Sequence, residues 1–281
     1  GRDYLMKSKT GSRGQRMYLL RLLVKRNIKN QYYRSFIGVL WTVLNPLLNM
    51  AVMAFVFSQL FGRHTGGLDY PIYLLSGNII FGIMRASTSS SLTCLVGQTD
   101  MLQKTRVPIE IFPTANVFSA LVTFGFSFIA LLLVAGFRAL PIFEGPHFTF
   151  TWQIVLIVII LPAVTIFSLG ISYFLSALYV FFRDLKHIYS VILTLWTYLT
   201  PLFYSVDALN SELVSKAMVF NPMFHYVEGF RELLRGDIPA LMFSVSSGEP
   251  SILAMYGFAA ISLVIGWLFL EAMKNRIAAN L

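Results

Sequence analysis

The chain has 281 residues, of which 56% are apolar and only 12% charged. That balance excludes an ordinary soluble domain, where roughly a quarter of residues are charged, and fits a polytopic membrane protein of one domain with room for six or seven spans. The net charge is +9, and ten of the 22 Lys and Arg residues precede Phe36, against one acid, Asp3.

Residues 1–15 are polar with Gly and Ser, and read as a flexible tail. Over 16–35, Leu19, Leu22, Leu23 and Ile28 interleave with Arg21, Lys25, Arg26 and Lys29. The pattern predicts an amphipathic helix in the plane of the membrane interface, too charged to span. It is not a cleaved signal sequence, because the first long apolar run begins some 35 residues in. Without aromatic interleaving, the basic arm does not suit nucleic acid. Anionic lipid attracts such a segment at ~1 kcal/mol per charge.

The remainder, 36–281, reads as an all-α transmembrane domain with six spans: 37–60, 70–96, 112–137, 152–182, 188–204 and 252–273. The second is weakened by the STSSS cluster at 87–91, the fifth by the Thr200-Pro201 break. The turn FFRDLK at 181–186 carries Arg183, Asp184 and Lys186 and must lie at a membrane surface, since a lone charge in hydrocarbon costs roughly 2.5–3.5 kcal/mol or more. An even span count puts both termini on one face. With the tail, 97–111, 183–187 and 274–281 together, that face carries 16 Lys and Arg against five on the other, so both termini are expected in the cytoplasm.

The segment 205–251 is long for a connection. It predicts a short helix over 211–220, then another after Asn221-Pro222 with Phe224, Val227, Phe230, Leu233 and Leu234 on one face and Gly236 as C-cap. These would be short re-entrant helices at the outer mouth, between spans five and six.

Catalytic motifs are sparse. GSRGQR at 11–16 is not a phosphate-binding loop, and His64, His147, His187 and His225 lack metal-ligand spacing. The one cysteine, Cys94, reads as a packing residue.

Arg85 is the charge that falls inside a span, with Asn78, Phe81 and Ser89 at spacings that share its face. Either it meets an anionic group in a cavity or it bonds to a neighbouring helix. Thr42, Asn45 and Asn49, beside Trp41, form a stripe that is either a hydrophilic route or an interhelical seam. Ser168, Ser172 and Ser176 with Gly170 read as close helix packing. Trp196, Tyr198, Phe203 and Tyr204 suit an interfacial belt, with sugar stacking as a second use.

Four stretches in order carry a family resemblance. RNIKNQYYRSFIGVLWTVLNPLL, LVGQTDMLQKTRVPIEIFP, FFRDLKHI followed by LTPLFYS, and FNPMFHYVEGFRELLRG together resemble the membrane subunit of ABC-2-type polysaccharide exporters, which handle O-antigens, teichoic acids and some capsules. The resemblance covers nearly the whole chain from about residue 16 to 273.

It implies a non-catalytic permease in a bacterial inner membrane, working as a homodimer with two separate ABC ATPase subunits. ATP and Mg would sit on that partner, and this chain would hold no cofactor. Residues implied in ATPase docking are Arg21, Lys25 and Arg26 on the interfacial helix, Asp100, Lys104 and Arg106 in the second stretch, and Arg183 and Asp184 in the turn.

A lipid-linked polysaccharide would pass outward past Trp41, Asn45, Asn49, Asn78, Phe81 and Arg85, and past Trp196, Tyr198, Phe203 and Tyr204. An outer gate would be built from Phe224, Tyr226 and Phe230. Two rival functions remain at this stage. One is an ABC-2 exporter of small drugs or lipids, and the other is a membrane glycosyl- or acyltransferase, which would need an acid or histidine cluster at the surface.

Overall fold

A computed structural model describes residues 13–32, 40–60, 68–104, 107–138, 155–204, 218–236 and 250–280. Among these there is no β-strand. The helices are α1 (Arg13–Tyr32), α2 (Leu40–Leu60), α3 (Tyr70–Leu92), α4 (Thr99–Lys104), α5 (Ile111–Arg138), α6 (Ile157–Phe181), α7 (Leu185–Leu199), α8 (Pro222–Arg235) and α9 (Ile252–Asn280), with a 3-10 turn at Val96–Gln98. The tail before residue 13 and most of the helix expected over 211–220 lie outside the described residues.

The apolar cores of three helices are long enough to cross a membrane: Ile111–Phe137, Ile157–Phe181 and Ile252–Ile277. α7 has 15 residues, short of the ~20 that a bilayer requires. α3 is diluted by Asn78, Arg85 and the serine cluster.

That composition suits α3 to an interior place. It packs against α2, α5, α6 and α8 at the centre of the larger core, and Ile72, Leu74, Ile80 and Met84 are fully enclosed. Two of its buried hydroxyls turn back onto their own helix: Ser87 Oγ donates to the Ile83 carbonyl at 2.6 Å and Thr88 Oγ1 to the Met84 carbonyl at 2.6 Å. Polar residues therefore reach the middle of the bundle without leaving those donors unpaired.

α6 and α9 cross in close contact. A Cβ on Gly266 would stand 1.9 Å from the Gly170 carbonyl oxygen, and one on Gly170 would strike the Ser262 backbone at 2.3 Å. Ser262 Oγ closes the crossing with a 2.9 Å bond to the Phe167 carbonyl. Ser168, Ser172 and Ser176 are also fully buried, on a face of α6 roughly 120–160° around from Gly170.

A second core gathers one end of the bundle: Leu23 of α1, Leu95, the start of α5 at Ile111 and Phe112, the end of α6 at Ala177 and Val180, and the end of α9 at Leu270 and Ile277. α1 docks here through Leu23, the Asn27–Asn116 amide pair at 2.9 Å and Arg26 to Gln98 at 3.1 Å. Its inward stripe is Leu20, Leu23 and Val24, and not the expected set, because Leu22 is 46% exposed.

The break after α7 is sealed by a buried arginine on α8. α8 starts at Pro222 behind Asn221, whose side chain accepts from Met223 N, and ends at Gly236 with φ 89°. From α8, Arg231 reaches the carbonyls of Pro201 (2.6 Å), Leu202 (3.1 Å) and Tyr73 (2.9 Å), pairs with Glu228 at 2.5 Å and lies 3.4 Å from the Tyr73 ring centroid. Tyr73 and Tyr70 hydroxyls cap the Tyr204 and Phe203 carbonyls at 2.7 and 3.0 Å. All four carbonyls of the turn 201–204 are thereby satisfied, as buried backbone demands. Gly77 makes the room, since a Cβ there would sit 2.6 Å from Arg231 Nη2.

Candidate functional site

A cleft of about 970 Å³ opens between α2, α3, α5 and α7. Helical spacing explains its polarity. On α7, Lys186, Ser190, Thr194 and Thr197 fall at i, i+4, i+8 and i+11, so they form one stripe along the wall. Opposite them α3 presents Asn78, Arg85 and Ser89, α2 adds Asn45 and Asn49, and α5 adds Thr123 and Ser127. Among the described residues no carboxylate lines the cleft, whereas Arg85, Lys186 and His187 all do. The result is a wall of neutral donors and acceptors with a cationic bias.

Two bonds tie α7 across the cleft to α3. Arg85 Nη2 donates to Thr197 Oγ1 at 2.7 Å, with the guanidinium 5.0 Å from the Phe81 ring. Tyr189 donates to Thr88 Oγ1 at 2.6 Å. At its far end α7 is held by Asn221, which accepts from the Trp196 indole N–H at 2.8 Å and donates to the Leu199 carbonyl and Thr200 Oγ1 at 3.2 and 3.0 Å.

Six of the ten residues expected along a path line this cleft: Asn45, Asn49, Asn78, Arg85, Tyr198 and Phe203. Four do not. Phe81 is 1% exposed and supports Arg85 from beneath. Trp196 faces inward, edge-on to Phe167, with its N–H committed to Asn221. Tyr204 turns its hydroxyl onto the Tyr198 carbonyl, and Trp41 lies elsewhere on α2.

The three gate aromatics are core residues. Phe224, Tyr226 and Phe230 are at most 2% exposed, Tyr226 bonds the Met255 carbonyl at 2.7 Å, and Phe230 packs on Phe128. The apolar face of α8 is spent on the bundle, so these rings present no surface to a mouth.

Of the docking residues, Arg21 and Lys25 are exposed on α1, while Arg26 is half-buried on Gln98. Asp100 and Lys104 belong to α4 with side chains outside the described set, and Arg106 lies outside it altogether. Arg183 is exposed, 5.9 Å from the Tyr179 ring, and Asp184 stands at the N-cap of α7 without a side-chain capping bond.

Sequence reasoning did not single out Arg231, nor the α7 stripe of Lys186, Ser190 and Thr194. With Thr197 the stripe was legible as four polar residues on one helical face. For Arg231 the available signals were its i, i+3 partner Glu228 and its place in a helix otherwise rich in apolar residues.

Apolar helices wrapped around a continuous polar cleft define a membrane transport protein in construction. Residues 18–234 match the family model described as ABC-2 type transporter, and the chain belongs to that family. It is 29% identical over 259 residues to the O-antigen export system permease protein RfbA of Myxococcus xanthus, covering 92% of each chain. A protein of the same name from Klebsiella pneumoniae is 28% identical over 263 residues, covering 92% of this chain and 93% of the relative. The polysialic acid transport protein KpsM of Escherichia coli is 21% identical over 248 residues, covering 87% and 89%.

Proposed function

We propose that this chain is the membrane-spanning, non-catalytic subunit of an ATP-driven exporter, moving a lipid-linked polysaccharide from the cytoplasm to the outer face. The cleft carries the reading. A long glycan needs a surface of neutral hydroxyls and amides that it can slide along, and Asn45, Asn49, Asn78, Thr123, Ser127 and Thr194 supply one. Relatives over nearly the full length are named as permeases for O-antigen and as a polysialic acid transporter, which supports the same load class here.

The working unit in this reading is a homodimer with two ABC ATPase subunits, in a bacterial inner membrane. The chain makes six spans, with α2, α3 and α7 completing the set begun by α5, α6 and α9, and both termini are cytoplasmic. The gathering of α1, the Leu95–Phe112 region, the end of α6 and the end of α9 at one end of the bundle supports that topology, since these are the cation-rich segments. The motor docks on that end through Arg21 and Lys25, the segment of Asp100, Lys104 and Arg106, and the turn of Arg183 and Asp184. ATP and Mg act on the motor. This chain's work is to hold closed and open arrangements at different free energies.

The test is co-purification and export. Reversing charge at Lys104 and Arg106 should abolish co-purification of the ATPase while the subunit still inserts, and surface polysaccharide should disappear with it. Intact co-purification would remove the docking assignment. Surface polysaccharide unaltered in a strain lacking this chain would remove the export assignment.

A further inference from the structure

We propose that the cleft binds a phosphoryl anion at two stations along α7, one at Lys186 and His187 and the other at Arg85. The inference rests on the export reading and adds the chemistry by which the cleft holds the charged part of its load.

The two intramembrane arginines are built for opposite purposes. Arg231 is fully buried, with four bonds to three carbonyls and one carboxylate, so both its terminal nitrogens are committed. Arg85 is exposed in the cleft and, among the described residues, has one hydrogen bond, to the neutral hydroxyl of Thr197. A guanidinium with most of its fork unused favours a charged oxygen over a hydroxyl, because charge-assisted bidentate bonds are roughly twice as strong as neutral ones.

Lys186 and His187 line the same cleft at the start of α7, eleven residues before Thr197 in the case of Lys186. At 1.5 Å per residue the stations stand roughly 16 Å apart. One phosphoryl or diphosphoryl group cannot touch both at once. Between them Ser190 and Thr194 offer hydroxyl donors on the same stripe, and no described carboxylate interrupts it. The arrangement is a track, with a cation to receive the anion and another to take it on.

The other side of α7 exposes Ile188, Val191, Ile192, Leu195 and Leu199. An anion on the track can therefore keep an attached hydrocarbon chain against apolar surface. The shared chemistry is a phosphoryl group on an amphiphile, which either a membrane phospholipid or the lipid carrier of the load provides. Arrival at the second station would draw Arg85 from Thr197 and release one of the two ties between α3 and α7.

The experiment uses the full-length chain isolated from membranes, with affinity measured by thermophoresis. The probes are farnesyl diphosphate, dihexanoyl phosphatidylglycerol and inorganic diphosphate, with dihexanoyl phosphatidylcholine as the zwitterionic reference. The anionic probes should bind at least tenfold more tightly than the reference. Arg85→Gln and Lys186→Gln should each weaken them fivefold or more at unchanged melting temperature, and Arg85→Lys should recover part of the loss.

Preference for farnesyl diphosphate identifies a lipid-diphosphate load, preference for phosphatidylglycerol a membrane headgroup, and equal binding of inorganic diphosphate a site that reads the anion alone. Each supports the anion track. Anionic and zwitterionic probes binding alike, no binding of any probe, or wild-type affinity in both Gln variants overturns it. Loss in only one variant overturns the two-station form. Binding is read without transport, so these outcomes are separate from failure of the export reading.

Discussion

Replacing Arg231 by Met removes a guanidinium from a fully enclosed site while keeping much of its volume. The Tyr73 carbonyl lies inside α3, where the helix itself supplies a donor, and the Pro201 carbonyl keeps a weak 3.4 Å share of the Tyr73 hydroxyl, whose proton goes mainly to Tyr204. The groups left worse off are the Leu202 carbonyl and the Glu228 carboxylate, which keeps only Arg235 at 3.7 Å. Breaking a buried ion pair costs about 3–5 kcal/mol, and an orphaned carbonyl about 1–3 kcal/mol. With Arg235 offsetting part of the first cost, about 4 kcal/mol is expected in all.

At about 2–4 °C per kcal/mol for a chain of this size, the melting temperature should fall by roughly 8–16 °C. The assay is thermal unfolding of the detergent-solubilised protein, followed by the loss of the folded peak in size-exclusion chromatography. The double variant Arg231→Met with Glu228→Gln should regain part of the loss, because the stranded charge is gone. Gly77→Ala should lower stability in the same direction, its Cβ displacing Arg231. A melting temperature within about 2 °C of wild type for Arg231→Met would refute the claim that this arginine seals the turn after α7.

Three further outcomes are expected. Gly266→Leu should prevent α6 and α9 from closing and reduce the yield of folded protein in membranes, read by fluorescence-detected chromatography; Gly257→Leu, where the same position is open, serves as the tolerated control. Tyr198→Ala should lower surface polysaccharide at normal stability, because its ring lines the cleft, whereas Trp196→Ala should destabilise first, by about 1 kcal/mol or more, through loss of the Asn221 bond and the Phe167 contact. Cys94 packs against the second core, so maleimide should label it slowly in the native protein and rapidly after SDS.

Much of the fold was legible because apolar length is a blunt signal. α5, α6 and α9 stand where long hydrophobic runs placed them, and the Asn221-Pro222 start and Gly236 stop of α8 follow from capping chemistry that acts locally. The errors concern what lies opposite a helix face. In α8 the sequence placed Phe224, Val227, Phe230, Leu233 and Leu234 on one face. Arg231 falls within that stripe, between Phe224 and Val227, and with Glu228 beside it meets the backbone carbonyls of the α7 break. Amphipathicity distinguishes two faces without saying which neighbour answers each.

The aromatics expected along the path divide for a simpler reason. Trp196 and Tyr198 are two positions apart, about 200° around a helix, so they could not share a wall. Asn45, Asn49, Asn78 and Arg85 line one cleft because three- and four-residue spacings are reliable within each helix. That α2 and α3 face each other there is a tertiary fact beyond periodicity.

The Gly170–Gly266 contact has a mechanical consequence. With backbone against backbone, α6 and α9 have no side-chain layer through which to slide or roll, and they form a fixed post. The cleft is on the other side, where α7 rests on the bundle through the single stripe of Tyr189, Leu193 and Trp196. Widening the cleft therefore falls to α7 and α2. Because α7 follows the turn at 182–184 directly, a push on that turn from the aqueous side would tilt α7 about its Asn221 tether, as a lever about a hinge pin, while the post stands still.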